Sequence, residues 1–344
     1  MPGGSSSAGR APRSQRGGRR FEPALLHYHS EFRRKGRRFP PSPHPFRTTR
    51  SPVIRDIIIS MRPRQWLKNG FVFAALIFAR RYTDPEAVLH ALAAFVIFSL
   101  LSGAVYLLND LADVNEDRRH KGKCNRPIAR GALSSRWALT AAAVAGLIAL
   151  TGAFIINFNL GLLAGGYLLL MVLYSWRLKR IVIVDTLVIA FGFIFRVTAG
   201  GVAISVPVSE WLLICTFFLA LFLALCKRRH ELILMGEEAA GHRKILSEYS
   251  AVLLDQMIAV VTSSTVMAYG LYTLWPRTVE KVSPRLYYTI PFVLYGIFRY
   301  LYLVHRKDGG GEPGRTLMAD RSLLIAVLFW VVAVIAVLRY FPPG

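Results

Sequence analysis

Asn109, Asp110, Asp113 and Asp117 form the pattern N-D-x-x-D-x-x-x-D, directly after the apolar stretch 87–108. Spacings of three and seven residues bring side chains to one face of a helix. Three carboxylates on one face repel each other, and at a low-dielectric boundary the repulsion is severe. A divalent cation relieves it. Mg²⁺ takes hard oxygen ligands and is commonly shared between carboxylates and the phosphates of a substrate. Asn109 adds a neutral amide oxygen. The residues that follow are basic: Arg118, Arg119, Lys121, Lys123, Arg126 and Arg130. Acids that hold Mg²⁺ beside cations that hold an anion describe a site for a diphosphate.

Elements that position such a cluster follow from composition. The 344-residue chain is 53% hydrophobic even though residues 1–60 carry thirteen Lys/Arg against three acids. That start, rich in Gly, Ser, Pro and Arg, is expected to be a disordered basic tail over residues 1–51, either a genuine tail or an over-long start. Residues 52–344 are expected to be the membrane domain. A short amphipathic segment from about Pro52 to Trp66 suits the membrane interface. Nine apolar spans follow, at 66–80, 87–108, 137–157, 160–176, 182–204, 210–226, 252–274, 286–304 and 321–341. Most approach the roughly 20 residues that cross a bilayer, and such spans must be helical because lipid offers backbone groups no partner. The fold class is therefore all-α, an integral membrane protein with nine transmembrane helices.

Lys and Arg concentrate in the 2–3, 4–5, 6–7 and 8–9 connections, which places these and the N-terminus on the cytoplasmic side of the plasma membrane. The remaining charge lies between apolar spans, where it faces headgroups or phosphorylated ligands; this excludes nucleic acid as a partner. Cys124, Cys215 and Cys226 have no metal-ligand spacing and no disulfide framework. No secretory signal is visible.

Several cations stand in otherwise apolar surroundings. "RPRQWLKN" places Arg62, Arg64 and Lys68 at the first span. "YSWRLKRIVIVD" places Tyr174, Lys179 and Asp185 around the 4–5 turn. Arg196 lies within span five; a charge at that depth needs an anion or water, and either Asp185 or a substrate phosphate would serve. Lys179 could equally snorkel. The 6–7 connection, "CKRRHELILMGEEAAGHRKILSEYS", carries Lys227, Arg228, Arg229, Glu231, Glu237 and Glu238 but no aspartate before Asp255.

The acid motif after the second of nine spans resembles the UbiA-type intramembrane prenyltransferase superfamily, over about residues 58–341. The resemblance implies a helical bundle around a central cavity capped by cytoplasmic loops. It also implies Mg²⁺ held by Asp110, Asp113 and Asp117, which ionises an allylic diphosphate. The second aspartate motif usual in the 6–7 loop is missing here. The stretches "RPRQWLKN", "NDLADVNEDRRH", "RPIARG", "YSWRLKRIVIVD", "RVTAGG" and "LFLALCKRRHEL" together resemble the decaprenyl-phosphate phosphoribosyltransferase branch. That branch implies phosphoribosyl diphosphate as donor, a polyprenyl phosphate as acceptor, and a role in cell-wall precursor synthesis. It implies Asp110, Asp113, Asp117 and Lys179 in catalysis. It implies Lys68, Asn109, Arg118, Arg126, Tyr174, Asp185, Arg196, Lys227, Arg228 and Glu231 in substrate binding. The alternative keeps the fold and moves a prenyl group from a prenyl diphosphate to an aromatic or other acceptor. A transporter with an Asp/Arg ion path is the reading from another class, and the acid motif argues against it. Assembly as a homo-oligomer is compatible with all of these.

Overall fold

The computed structural model describes residues 53–119, 122–235, 248–306 and 310–342. The tail expected at 1–51 lies outside the described residues, as do Lys121, Glu237 and Glu238. Every regular element among the described residues is helical. Helix α1 (Val53–Met61) is followed by a 3₁₀ stretch (Pro63–Val72) and α2 (Phe73–Phe78). Then come α3 (Pro85–Ala112), α4 (Val114–Arg119), α5 (Ser135–Ile156), α6 (Phe158–Trp176), α7 (Val184–Ala203) and α8 (Glu210–Met235). The chain ends in α9 (Ala251–Leu274), α10 (Pro276–Lys281), α11 (Ile290–Arg306), α12 (Pro313–Ala319) and α13 (Arg321–Tyr340).

Seven of these are long and apolar enough to cross a membrane: α3, α5, α6, α7, α8, α9 and α13. The expected count of nine is not reached among the described residues, for two local reasons. Span 66–80 is the 3₁₀ stretch plus the six-residue α2. Span 286–304 begins as a 3₁₀ turn (Leu286–Thr289), leaving 17 residues to α11. The chain is a multi-pass membrane protein nonetheless.

Local chemistry explains the boundaries. Asp84 caps α3 by accepting from the Glu86 and Ala87 N–H groups, with Pro85 at the first helical position. Ser134, Asn157, Ser250 and Asp320 cap α5, α6, α9 and α13 in the same way. Helix α1 is inside-out: Asp56 and Ser60 are buried while Ile54 and Ile58 are exposed, as suits a helix whose outer face meets lipid. Small residues set the packing. Ala138, Ala142, Ala145, Ala149 and Ala153 form one buried stripe of α5, which lets its backbone approach α3 closely. Helix α7 meets the 3₁₀ stretch through Gly200, where a Cβ would fall 1.9 Å from the Val72 carbonyl oxygen. Helix α8 runs on to Met235, so Lys227, Arg228 and Glu231 belong to a helix and not to a loop. Their pairs at three and four residues' separation stabilise that last part of the helix.

Candidate functional site

The acid motif sits where α3 ends. Asp113 closes α3, with φ −100° and ψ 8°, and α4 begins one residue later. The backbone nevertheless keeps helical bonding across the break, from the Asp113 N–H to the Asn109 carbonyl and from the Asp117 N–H to the Asp113 carbonyl. The three carboxylates divide two and one. Arg126 Nη1 donates to Asp110 Oδ1 at 3.0 Å and to Asp117 Oδ2 at 2.5 Å, bridging two acids that are both buried. Asp110 also accepts from Arg62 Nη2. Asp113 faces the other way: it accepts from the buried Lys179, and from Asn109 Nδ2 at 3.1 Å. Lys179 Nζ also reaches Asn109 Oδ1 at 3.2 Å. Asn109 therefore orients both Asp113 and Lys179.

Among the described residues no group of three or more His, Cys, Asp or Glu is placed to hold a metal ion. The reason is the break at Asp113, together with the pull of Lys179 on one side and Arg126 on the other. The donor set is all oxygen, three carboxylates and an amide. It fits Mg²⁺ in the mode where one or two carboxylates and a substrate's phosphates share the ion.

A second polar group lies inside the bundle around Arg196. Its Nε donates to Asn69 Oδ1 at 2.7 Å, Nη1 to the Gly192 carbonyl at 2.6 Å and Nη2 to the Tyr167 hydroxyl at 2.8 Å. Ser102 and Ser99 extend the network through Asn69. The guanidinium also stacks over the Tyr167 and Phe193 rings. None of these partners is charged. Asp185 is not the partner of Arg196, because Asp185 is taken by another arginine. Lys68 makes no hydrogen bond or ion pair among the described residues, and its charged neighbours are Arg196, Glu312 and Arg62. Among the described residues, neither Lys68 nor Arg196 has a carboxylate in contact.

The third group joins α6, α7 and α8. Arg228 Nε donates to Asp185 Oδ2 at 2.5 Å, Nη1 to Glu231, and Nη2 to the Tyr174 hydroxyl at 3.4 Å. Arg228 and Asp185 are both buried. Lys227 Nζ lies 3.8 Å from Glu231. The cation surplus read from the 6–7 connection is therefore met by Asp185 and Glu231, and for Arg229 by Asp255. The Tyr249 hydroxyl donates to Asp185 Oδ1 at 2.9 Å, and burial pushes its pKa up to about 12. Arg118 stands apart, donating from Nε to the Ala129 carbonyl and so tying α4 to the basic loop.

Some contributors escape sequence reasoning. Arg62 was visible as a cation at the first span, but its left-handed φ of 55°, its stacking over Tyr106 at 4.8 Å and its bond to Asp110 were not. Asn69 carried a signal, a polar side chain amid "WLKNGFVF". Tyr167, Ser102 and Tyr249 carried none.

A model of the UbiA prenyltransferase family matches residues 70–319. This chain belongs to that family. Decaprenyl-phosphate phosphoribosyltransferase of Mycobacterium tuberculosis is 36% identical over 294 residues, covering 84% of this chain and 96% of the relative. The enzyme of the same name from Corynebacterium glutamicum is 31% identical, covering 83% and 87%. Among solved structures, a UbiA homolog from Archaeoglobus fulgidus bound to GPP and Mg²⁺ superposes with a TM-score of 0.65 at 20% identity, covering 82% of this chain and all of that one. That likeness shows the fold.

Proposed function

We propose that this protein transfers 5-phosphoribose from phosphoribosyl diphosphate to a polyprenyl phosphate such as decaprenyl phosphate and releases diphosphate. The observation that carries this reading is the pair of cations without carboxylate partners among the described residues, Lys68 and Arg196, close to an acid cluster that already has its own cations. A prenyl diphosphate has one anionic end, and interior cations beyond it would be left uncompensated at a cost. A donor with a diphosphate and a 5-phosphate uses both groups. The relatives that cover most of the chain support the same substrates by their names.

In this mechanism Asp110, Asp113 and Asp117 would hold Mg²⁺, which supplies charge neutralisation to the diphosphate. Lys179, Arg126 and Arg62 are poised on those carboxylates and turn to the diphosphate as negative charge grows on it. Lys68 and Arg196 receive the 5-phosphate. The bond from ribose C1 to the diphosphate oxygen breaks, and its electron pair leaves with the diphosphate. An oxygen of the lipid phosphate forms the new bond to C1. That nucleophile is already an anion, so no general base is required, and positioning carries the rate. The active site is proposed to face the cytoplasm.

The reading is tested by supplying membrane vesicles with labelled phosphoribosyl diphosphate and polyprenyl phosphate, with and without Mg²⁺. Diphosphate should appear only when both substrates and the metal are present. The second reading, prenyl transfer from a prenyl diphosphate to an aromatic acceptor, draws on the GPP-bound structural neighbour. Consumption of geranylgeranyl diphosphate with an aromatic acceptor, and none of the sugar donor, would establish it instead.

A further inference from the structure

An apolar groove of about 320 Å³ runs along the outside of the bundle between α7 and α9. Both helices pack on α8, which leaves a channel with α8 as its floor. Leu221 and Leu225 form that floor, Ile183 and Leu187 one wall, and Leu253 and Val260 the other. No charged side chain lines it. Its lining from α7 is the N-cap Ile183 and the first turn, its lining from α9 spans the first three turns, and that from α8 comes from the turns that lead to Arg228, so one end of the groove lies at the end of the bundle that carries Arg228 and the Leu178–Arg180 turn.

The mouth is built unusually. Ile183 has φ 69° and ψ −47°, and the Val184 N–H bonds the Val182 carbonyl at 2.8 Å, which makes Ile183 the centre of a strained γ-turn. A β-branched residue rarely takes positive φ, and such strain persists only where surroundings impose it. Here the Tyr249 hydroxyl accepts the Ile183 N–H at 2.7 Å and donates to Asp185. The strained turn holds the Ile183 side chain at the groove's entrance. Immediately before it lies the turn Leu178–Arg180, with Lys179 on Asp113 and with Arg177 and Arg180 exposed. Arg177, Lys179 and Arg180 thus precede the groove residue Ile183 by three to six positions, and mostly apolar side chains line the groove. This is the complement of one kind of ligand, an anionic headgroup on a long hydrocarbon tail.

We propose that this groove holds the isoprenoid tail of the polyprenyl phosphate, with the lipid phosphate at the Leu178–Arg180 turn and the first isoprene units against Ile183. The assignment rests on the proposed function for the identity of the acceptor. It makes α7, α8 and α9 the elements that measure acceptor length, and it gives the γ-turn at Ile183 a task, to steer the tail from the polar site into lipid.

Two measurements in vesicles of phosphatidylethanolamine and phosphatidylglycerol test it. A polyprenyl phosphate with a diazirine in the isoprene units next to the phosphate should label peptides 183–187 and 253–261. Unlabelled polyprenyl phosphate should compete, and added phospholipid should not. Second, Leu253→Trp and Val260→Trp fill the groove from its lipid-facing wall. They should raise KM for a long polyprenyl phosphate by about tenfold, the loss of a couple of buried methylenes' worth of contact. KM for phosphoribosyl diphosphate should not move, and a very short acceptor should be affected much less. Labelling that phospholipid abolishes, labelling confined to a second external groove between α11 and α13 that Phe292 and Phe329 line, or an equal penalty on long and short acceptors would overturn the assignment. If the wild-type protein shows competed labelling but no phosphoribosyl transfer, the proposed reaction fails and the groove stands. If it transfers phosphoribose without labelling here, the groove fails and the reaction stands.

Discussion

Gly200→Ala is a one-carbon change that tests how the bundle builds its interior site. The added Cβ would lie 1.9 Å from the Val72 carbonyl oxygen and 2.8 Å from its carbonyl carbon, where ordinary contact starts at 3.4 Å. These are backbone atoms, so no side chain can swing aside. Helix α7 and the 3₁₀ stretch must separate by more than about 1 Å, and overpacking of this kind costs about 1–3 kcal/mol. Asn69 lies three residues before Val72, and its Oδ1 accepts from Arg196 at 2.7 Å. A shift of about 1 Å takes that bond beyond hydrogen-bond range and frees Arg196 to turn. Misplacement of this size in a positioning group lowers turnover by as much as about 100-fold. The assay is thermal unfolding in detergent, followed by kinetics with phosphoribosyl diphosphate as the varied substrate. Gly270→Ala is the matched control, since nothing lies within 4 Å of a Cβ there. That change should be neutral or stabilising by up to about 1 kcal/mol. A Gly200→Ala protein with wild-type unfolding and wild-type KM would refute the claim that this close approach sets the Asn69–Arg196 contact.

Four further outcomes follow from the same contacts. Asp110→Asn and Asp113→Asn should each lower turnover by about 100-fold or more while the protein still elutes as a folded species, since each removes a charge from the proposed diphosphate site. Arg196→Lys should raise KM for the sugar donor, because an ammonium cannot reach Asn69, Gly192 and Tyr167 together; unchanged KM would show that Arg196 only packs. Asp185→Ala leaves the buried Arg228 with Glu231 as its one carboxylate partner among the described residues and should cost about 3 kcal/mol in unfolding experiments, most of it recovered when Arg228→Met is added. The neutral Tyr249 hydroxyl is favoured in the folded state, so its contribution should be complete below pH 10 and fade as pH rises toward about 12; Tyr249→Phe should remove that decline from a stability–pH profile.

Much of this protein is legible in one dimension. Apolar runs near bilayer length become helices in lipid because no other backbone geometry satisfies its own polar groups. Residues 87–108 and 252–274 therefore lie inside the observed α3 and α9. The acid motif is local, its members within nine consecutive positions, and helical bonding brings them to one end of α3 whatever the rest of the chain does. What the sequence does not contain is the choice of partner. Arg62 meets Asp110 across 48 positions, Lys179 meets Asp113 across 66 and Arg196 meets Asn69 across 127. Each pairing depends on how helices rotate and approach, which Gly200 and the alanine stripe of α5 decide through contact distance. Charge alone favoured Asp185 for Arg196 as much as a phosphate, and packing gave Asp185 to Arg228. The continuation of α8 to Met235 drew on both sources, a local pair from Arg228 to Glu231 and a tertiary one from Arg228 to Asp185 of α7. Local patterning determined the elements and the chemistry within reach of one helix end, and tertiary packing determined which charges meet a carboxylate and which meet only neutral partners.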